Sequence, residues 1–389
     1  GQKVPVVKKG TMQLPLHGGH APRWLISRME RLAYAISKLL IDEHGQQEFL
    51  RRISDPLWFQ AFGCVLGFDW HSSGLTTVVT GVLKRSLKPD RHGVMLAGGK
   101  GRRAVNAKHE IARICDSCFH FPASRIDELL YASRLSAKVD NAVVQDGYTL
   151  YHHAFLLAED GSWAVVQQGM NPDDRTARRY HWLADSVASF VNEPHSGIIS
   201  SLARGRALDM ASGLSEECRK TCVDIANSNP GNVASSVQRL SARDSLDRWL
   251  ASDADDDDRD GRRATGTPAK IEVYSMPKRL DWGLFRRIYD LKPRNYEELI
   301  AIRGVGPSTV RALALVAELV YGARPSWRDP VKFTFAHGGK DGVPYPVERK
   351  TYDKSIKILM DAVEGAEIER DLRLKALRNL CRYRDNLFT

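Results

Sequence analysis

Residues 302–322, IRGVGPSTVRALALVAELVYG, leave the backbone few choices. Gly304 and Gly306 flank Val305, and Pro307 follows at once. Glycine permits turns that would strain other residues, and it lets the chain approach another molecule with no Cβ in the way. Proline then suits the first position of a helix, where its missing N–H would have no partner anyway. Leu313, Val316, Ala317 and Val320 recur at helical spacing and give that helix an apolar stripe. Upstream, Asn295 is placed to cap an entry helix, with Glu298 in the capping-box position and Leu299 and Ile302 on its apolar face. The pattern predicts helix, glycine turn and second helix, with unbonded N–H groups at the second helix's N-terminus. Such a terminus suits a phosphate, and Ser308, Thr309 and Arg311 can add contacts. A grip of this kind holds a nucleic-acid backbone and reads no base sequence.

The charge balance points the same way. The 389 residues carry a formal net charge of +10, which suits a polyanionic partner, DNA above all. No apolar run reaches about 18 residues, so no helix is predicted to span a membrane. The stretch GQKVPVVKKGTMQLPLHGG has no apolar core of a secretory signal. Six cysteines are too sparse for a disulfide scaffold, which suggests a reducing, cytoplasmic setting. Oligomeric state cannot be read from the chain.

The pattern along the chain predicts a mostly helical α+β fold. An extended segment occupies 1–22, an amphipathic helix starts near Pro22, and a shorter one covers about 46–53. RHGVMLAGGKGRRAVNAKHEI reads as strand, glycine turn and helix. GYTLYHHAFLLAEDGSWAVVQQGM (147–170) reads as a β-hairpin turning at Glu159-Asp160-Gly161-Ser162, the source of a small antiparallel sheet. DRTARRYHWLADSVASFV then reads as basic and helical, with helices on to about 250. The domain reading is a mixed unit at 1–250, an acidic linker at 251–268, and a helical unit carrying the glycine turn at 269–389.

PRNYEELIAIRGVGPST resembles the helix-hairpin-helix motif. One branch of that superfamily, the DNA glycosylases, carries a catalytic aspartate after the second helix. Here Asp329 stands about one helical turn later than that branch places it. Asp329-Pro330 also has the form of a helix cap followed by proline. The resemblance implies base excision, with Asp329 stabilising a developing oxocarbenium ion or activating water. The iron–sulfur cluster of the endonuclease III-like cousins is not implied, because Cys381 alone follows the hairpin; the lysine of their lyases is Ser308 here. No cofactor is therefore expected. Over nearly its whole length, in blocks such as SDPLWFQAFGCVLGFDWHSSG and SWRDPVKFTFAHGGKDGVPYPVERKTYD, the chain also resembles a prokaryotic family whose name records only a domain of unknown function.

Other residue sets compete. His337 and Lys340, beside Gly338-Gly339, are further catalytic candidates close to Asp329. Lys100 and Arg102 in AGGKGRR, and Arg178 and Arg179 in RRYHW, are candidate nucleic-acid contacts. Asp69, His71, Asp146 and His152 could hold a divalent metal for phosphodiester cleavage, the chemistry of a nuclease. In YHH an alternating strand sends His152 and His153 to opposite faces. His109, Cys115, Cys118 and His120, or Cys218 and Cys222, could bind zinc, although their spacing is not a zinc signature. The leading expectation is a DNA-processing protein of the repair type, most concretely a base-excision glycosylase. A metal-dependent nuclease and a non-catalytic binder of structured or damaged DNA are the alternatives.

Overall fold

The computed structural model describes residues 23–67, 74–200, 204–255, 275–331, 333–334 and 349–388. The helices are α1 (Arg23–Ile53), α2 (Pro56–Leu66), α3 (Leu75–Ser86), α4 (Pro89–His92), α5 (Arg102–Val105), α6 (Ala107–Ile114), α7 (Ala123–Lys138), α8 (Glu216–Ala226) and α9 (Pro230–Asp255), followed by α10 (Trp282–Leu291), α11 (Tyr296–Ala301), α12 (Pro307–Tyr321), α13 (Arg349–Gly365) and α14 (Arg370–Phe388). The strands are β1 (Val94–Lys100), β2 (Val144–Gln145), β3 (Thr149–Ala158), β4 (Trp163–Asn171), β5 (Thr176–Leu183), β6 (His195–Ser200), β7 (Leu208–Asp209) and β8 (Phe333–Thr334). The fold is α+β and mostly helical. Among the described residues no helix is long and apolar enough to cross a membrane.

A six-stranded sheet runs through the middle in the order β1-β3-β4-β5-β6-β8. Its first five strands are antiparallel, and β8 joins β6 in parallel. The predicted hairpin is present as β3 and β4, with Leu157 opposite Trp163 across the Asp160-Gly161 turn. Both faces of this sheet are buried. Ala154, Leu156, Val166 and Leu183 pack with α1, α2, α3, α13 and α14 on one side. Phe155, Leu157, Val165 and Trp182 pack with α6 to α12 on the other. A sheet covered on both faces needs apolar residues at nearly every position, as LYHHAFLLA and WAVV supply.

Local signals explain the helix boundaries. Asp55 caps α2 by accepting the N–H groups of Leu57 and Trp58, and Pro56 sits at the first helical position. Gly45 takes a non-helical conformation and separates the two helical stretches merged in α1.

Three sequence readings change. RRYHW is not the start of a helix: it lies in β5, between β4 and β6. The acidic stretch is helical through Asp255, the end of α9, and the rest of it lies outside the described residues. The expected unit at 269–389 is divided between the two layers, with α10–α12 on one face of the sheet and α13–α14 on the other. An apolar stripe says that a helix must dock, and leaves open where.

Gly98 in β1 gives a direct test of strand packing. Its φ is +90°, and a Cβ there would lie 2.1 Å from the His153 carbonyl oxygen, whereas one at Gly101 would meet nothing within 4 Å. Gly98→Ala is expected to cost about 3 kcal/mol or more, against about 1–2 for Gly101→Ala, where backbone strain alone acts. Urea unfolding of the two variants checks this, and equal losses would contradict the close approach of β1 to β3.

Candidate functional site

The glycine turn forms as its sequence predicts. Asn295 accepts the Glu298 N–H at 2.9 Å, while the Glu298 carboxylate turns back to the Arg294 N–H at 2.8 Å. Gly304 has φ +99°, a conformation that requires glycine, and Leu284 and Arg287 crowd the space its Cβ would take. Gly306 differs: its backbone is extended at φ −142°, open to any residue, so the missing side chain serves access rather than conformation. Val305 is buried beneath the turn. The N–H groups of Gly306 and Ser308 have no acceptor among the described residues, and both stand at the positive end of the fifteen-residue α12.

Three distant side chains hold the turn from behind. Arg287 donates to the Arg303 carbonyl at 3.2 Å, Lys138 to the Ile302 carbonyl at 2.6 Å, and Gln145 to the Pro307 carbonyl at 2.9 Å. Burial, with Arg134 nearby, pulls the Lys138 ammonium down to about 8. Gly304, Gly306 and Ser308 are open to a ligand, with exposed Arg303 beside them. Thr309 is buried. Arg311 is half-buried and donates to the Ser275 carbonyl and to Gln145. These last two hold the motif in place instead of offering contacts.

Directly beside Gln145 lies a buried ion cluster. Arg178 is fully buried and donates to Asp146 at 2.8 Å and to both oxygens of Asp329 at 2.7 Å. Asp146 also accepts the Tyr180 hydroxyl at 2.6 Å and the Tyr148 N–H at 3.2 Å. Asp329 accepts the Val331 N–H at 2.9 Å and the Arg204 N–H. The Tyr148 ring lies against two guanidinium groups, 4.6 Å from Arg178 and 5.1 Å from Arg204, and Arg204 pairs with Asp174. Burial raises the Asp146 carboxyl above its ordinary range, with Arg178 opposing. Burial pulls Arg178 down, but Asp146 and Asp329 outweigh it and raise its pKa.

Three predicted residues, Asp146, Arg178 and Asp329, therefore meet in one buried ion cluster. Arg178 and Arg179 do not face nucleic acid, because strand alternation sends them into opposite core layers. Arg179 contacts Gln60, Thr76, His181 and the Pro56 carbonyl, and burial lowers its pKa to about 9. Asp329 caps no helix, since none starts at Pro330.

The family model for DUF763, described as a protein of unknown function, matches residues 10–347. The chain belongs to the DUF763 family. No curated protein and no solved structure matches it. The hairpin and the Asp146–Arg178–Asp329 cluster both lie inside the part that defines this DUF763 chain.

The metal reading loses its geometry. Asp146 lies with Arg178 and Tyr180 on one face of the sheet, whereas His152 bonds Thr80 of α3 on the other at 3.0 Å. Burial pushes His152 down to about 3, so it is neutral at neutral pH. Among the described residues no group of three or more His, Cys, Asp and Glu could hold a metal ion. Cys218 and Cys222 are buried in the core under α12, and burial pushes the Cys115 thiol up to about 11. Asp69, His71, His337 and Lys340 lie outside the described residues. Lys100 and Arg102 are exposed at the end of β1 and the start of α5.

Sequence reasoning missed Asp140. It is fully buried in a π-helical turn after α7, where it accepts from Gln167 at 2.5 Å, from Trp182 at 2.9 Å and from His195. Gln167 in turn bonds His153, which bonds Ser133 at 2.8 Å. The order serine, histidine, acceptor resembles a hydrolytic relay. All its members are buried, however, and none lines the cavity beside Tyr131 and Trp163 or the one between Leu25 and Leu372. A satisfied polar core that joins α7 to the sheet accounts for it.

Two measurements test these assignments. Arg178→Met strands two buried carboxylates and is expected to remove about 3–5 kcal/mol at neutral pH, much of it restored by adding Asp146→Asn and Asp329→Asn. A loss within experimental error would contradict the cluster. The second concerns Asp209, whose carboxyl burial pushes up to about 6 with His195 opposing. Its folded pKa exceeds the unfolded value, so this group lowers stability progressively as pH rises from about 4 through 6. Asp209→Asn should therefore be the more stable protein at pH 7, with the difference closing by pH 4. A pH-independent difference would contradict the assignment.

Proposed function

We propose that the chain grips duplex DNA through its phosphate backbone at the N-terminus of α12, and that it acts there in DNA processing of the repair type. The observation that carries this reading is the turn at 304–308. Unbonded N–H groups of Gly306 and Ser308 stand at a helix N-terminus, Gly306 leaves the approach clear, and Lys138, Gln145 and Arg287 bond the carbonyls of the turn. The exposed Arg303 and the net charge of +10 support a polyanionic partner.

Glycosidic bond cleavage is the second reading. Asp329 favours it, because it follows the hairpin directly and lies behind it through the Gln145–Asp146 step. Asp329 has both oxygens on Arg178, so this chemistry requires it to exchange Arg178 for the reacting sugar. Base excision leaves alkali-labile sites in the presence of EDTA. Alkali-labile breaks in damaged duplexes that disappear in Asp329→Asn support this reading; breaks that require added metal contradict it. The metal-dependent alternative draws no support from the described residues, since Asp146 and His152 stand on opposite faces.

Ser308→Glu separates binding from folding. Position 308 is exposed in the first turn of α12, where a carboxylate suits the helix dipole, so stability should hold or rise by about 0.5 kcal/mol. The same charge stands where a phosphate would bind, so affinity for duplex DNA should fall about tenfold or more, equally on unrelated sequences. Fluorescence anisotropy with two unrelated duplexes measures this, and unchanged affinity removes the hairpin from the reading.

A further inference from the structure

A cavity of about 570 Å³ opens between α7, the start of β4 and the segment at 184–190. Tyr131, Trp163 and Phe190 give it an aromatic side. Phe190 lies parallel to Trp163, at 9° and 6.1 Å between centroids, and perpendicular to Tyr131, at 88° and 5.7 Å. Both outer walls are fixed by one carboxylate: Glu297 of α11 accepts the Tyr131 hydroxyl at 2.9 Å and the Phe190 N–H at 3.2 Å. The size and the rigid aromatic lining are those of a small-molecule or side-chain pocket.

The charges at its mouth select among ligands. Asp127 and Asp185 line the cavity, are exposed, and have no ion-pair partner among the described residues. Arg125 lines it too, but its guanidinium is committed to Glu128 at 2.5 Å and to the Gly161 carbonyl at 2.6 Å. Arg134 lies over the Tyr131 ring without belonging to the lining. With Glu128 and Glu297 counted, four carboxylates face two guanidinium groups. Perpendicular aromatic faces beneath free carboxylates attract a cation, and the same carboxylates repel a phosphate.

We propose that this cavity binds an organic cation, with an ammonium or guanidinium head held against Tyr131, Trp163 and Phe190 under Asp127 and Asp185. The site is separate from the DNA grip, and its test does not depend on that reading. Titration calorimetry of the full chain with choline and with 3,3-dimethylbutan-1-ol, a neutral molecule of the same shape, measures the charge requirement. Choline should bind at least about tenfold more tightly, and Asp127→Asn with Asp185→Asn should remove most of that preference. Both aspartates are exposed, so the double variant tests charge without disturbing the core. A neutral decapeptide carrying one trimethyllysine identifies the source: tighter binding than choline assigns a partner's side chain, and weaker binding assigns a free cation. Equal binding of choline and the alcohol, unchanged choline affinity in the double variant, or displacement of choline by thymidine 5′-monophosphate would overturn the proposal.

Discussion

The fold depends on one guanidinium. Arg178, buried in the central strand β5, joins Asp146 from the segment after β2 to Asp329 from the segment after α12. Removing three charges from water costs several kcal/mol per ion, so such a cluster persists only with near-complete hydrogen bonding. It has that here: Asp329 takes Arg178 bidentately and two backbone N–H groups, and Asp146 adds Tyr180 and the Tyr148 N–H. One consequence is positional. Gln145, the residue before Asp146, holds the Pro307 carbonyl, so the same short segment fixes both the ion cluster and the start of α12. The neighbouring Arg179 makes the contrast plain. It points into the other layer, and neutral acceptors together with the Phe59 ring surround it.

Rigidity behind the glycine turn bears on its use. A loop that must order itself on binding loses affinity to that ordering, and a turn already tied down does not. Lys138, Gln145 and Arg287 come from three separate elements and bond three successive stretches of the turn. None of them bonds the N–H groups of Gly306 or Ser308. The sheet and its two helical layers act as the platform on which this small surface is held.

What the sequence discloses is what is local. The hairpin of β3 and β4 is marked by Asp160-Gly161, and the helix pair α11–α12 by Asn295, Gly304 and Pro307; each signal lies within a few residues of its effect. Strand β5 is not legible because two adjacent arginines read as a solvated face. Only the distant partners Asp146, Asp329, Gln60 and Thr76 make them core residues. Asp329 is singled out by its place after the hairpin, but its bond to Arg178 spans 151 residues and no local pattern announces it. Asp140 is hidden for the same reason. The stripe on α12 is read one turn too far: Leu313, Val316 and Ala317 are buried, and Val320 is 45% exposed where the helix leaves the core.

The central claim is that the turn at 304–308 meets the DNA backbone through its own amides. Hydrogen–deuterium exchange, with and without a saturating duplex of arbitrary sequence, tests it most directly. The account predicts slowed exchange at the amides of Gly306 and Ser308, which have no acceptor among the described residues in the free protein. A bound duplex that leaves those amides exchanging at their free rate would contradict it.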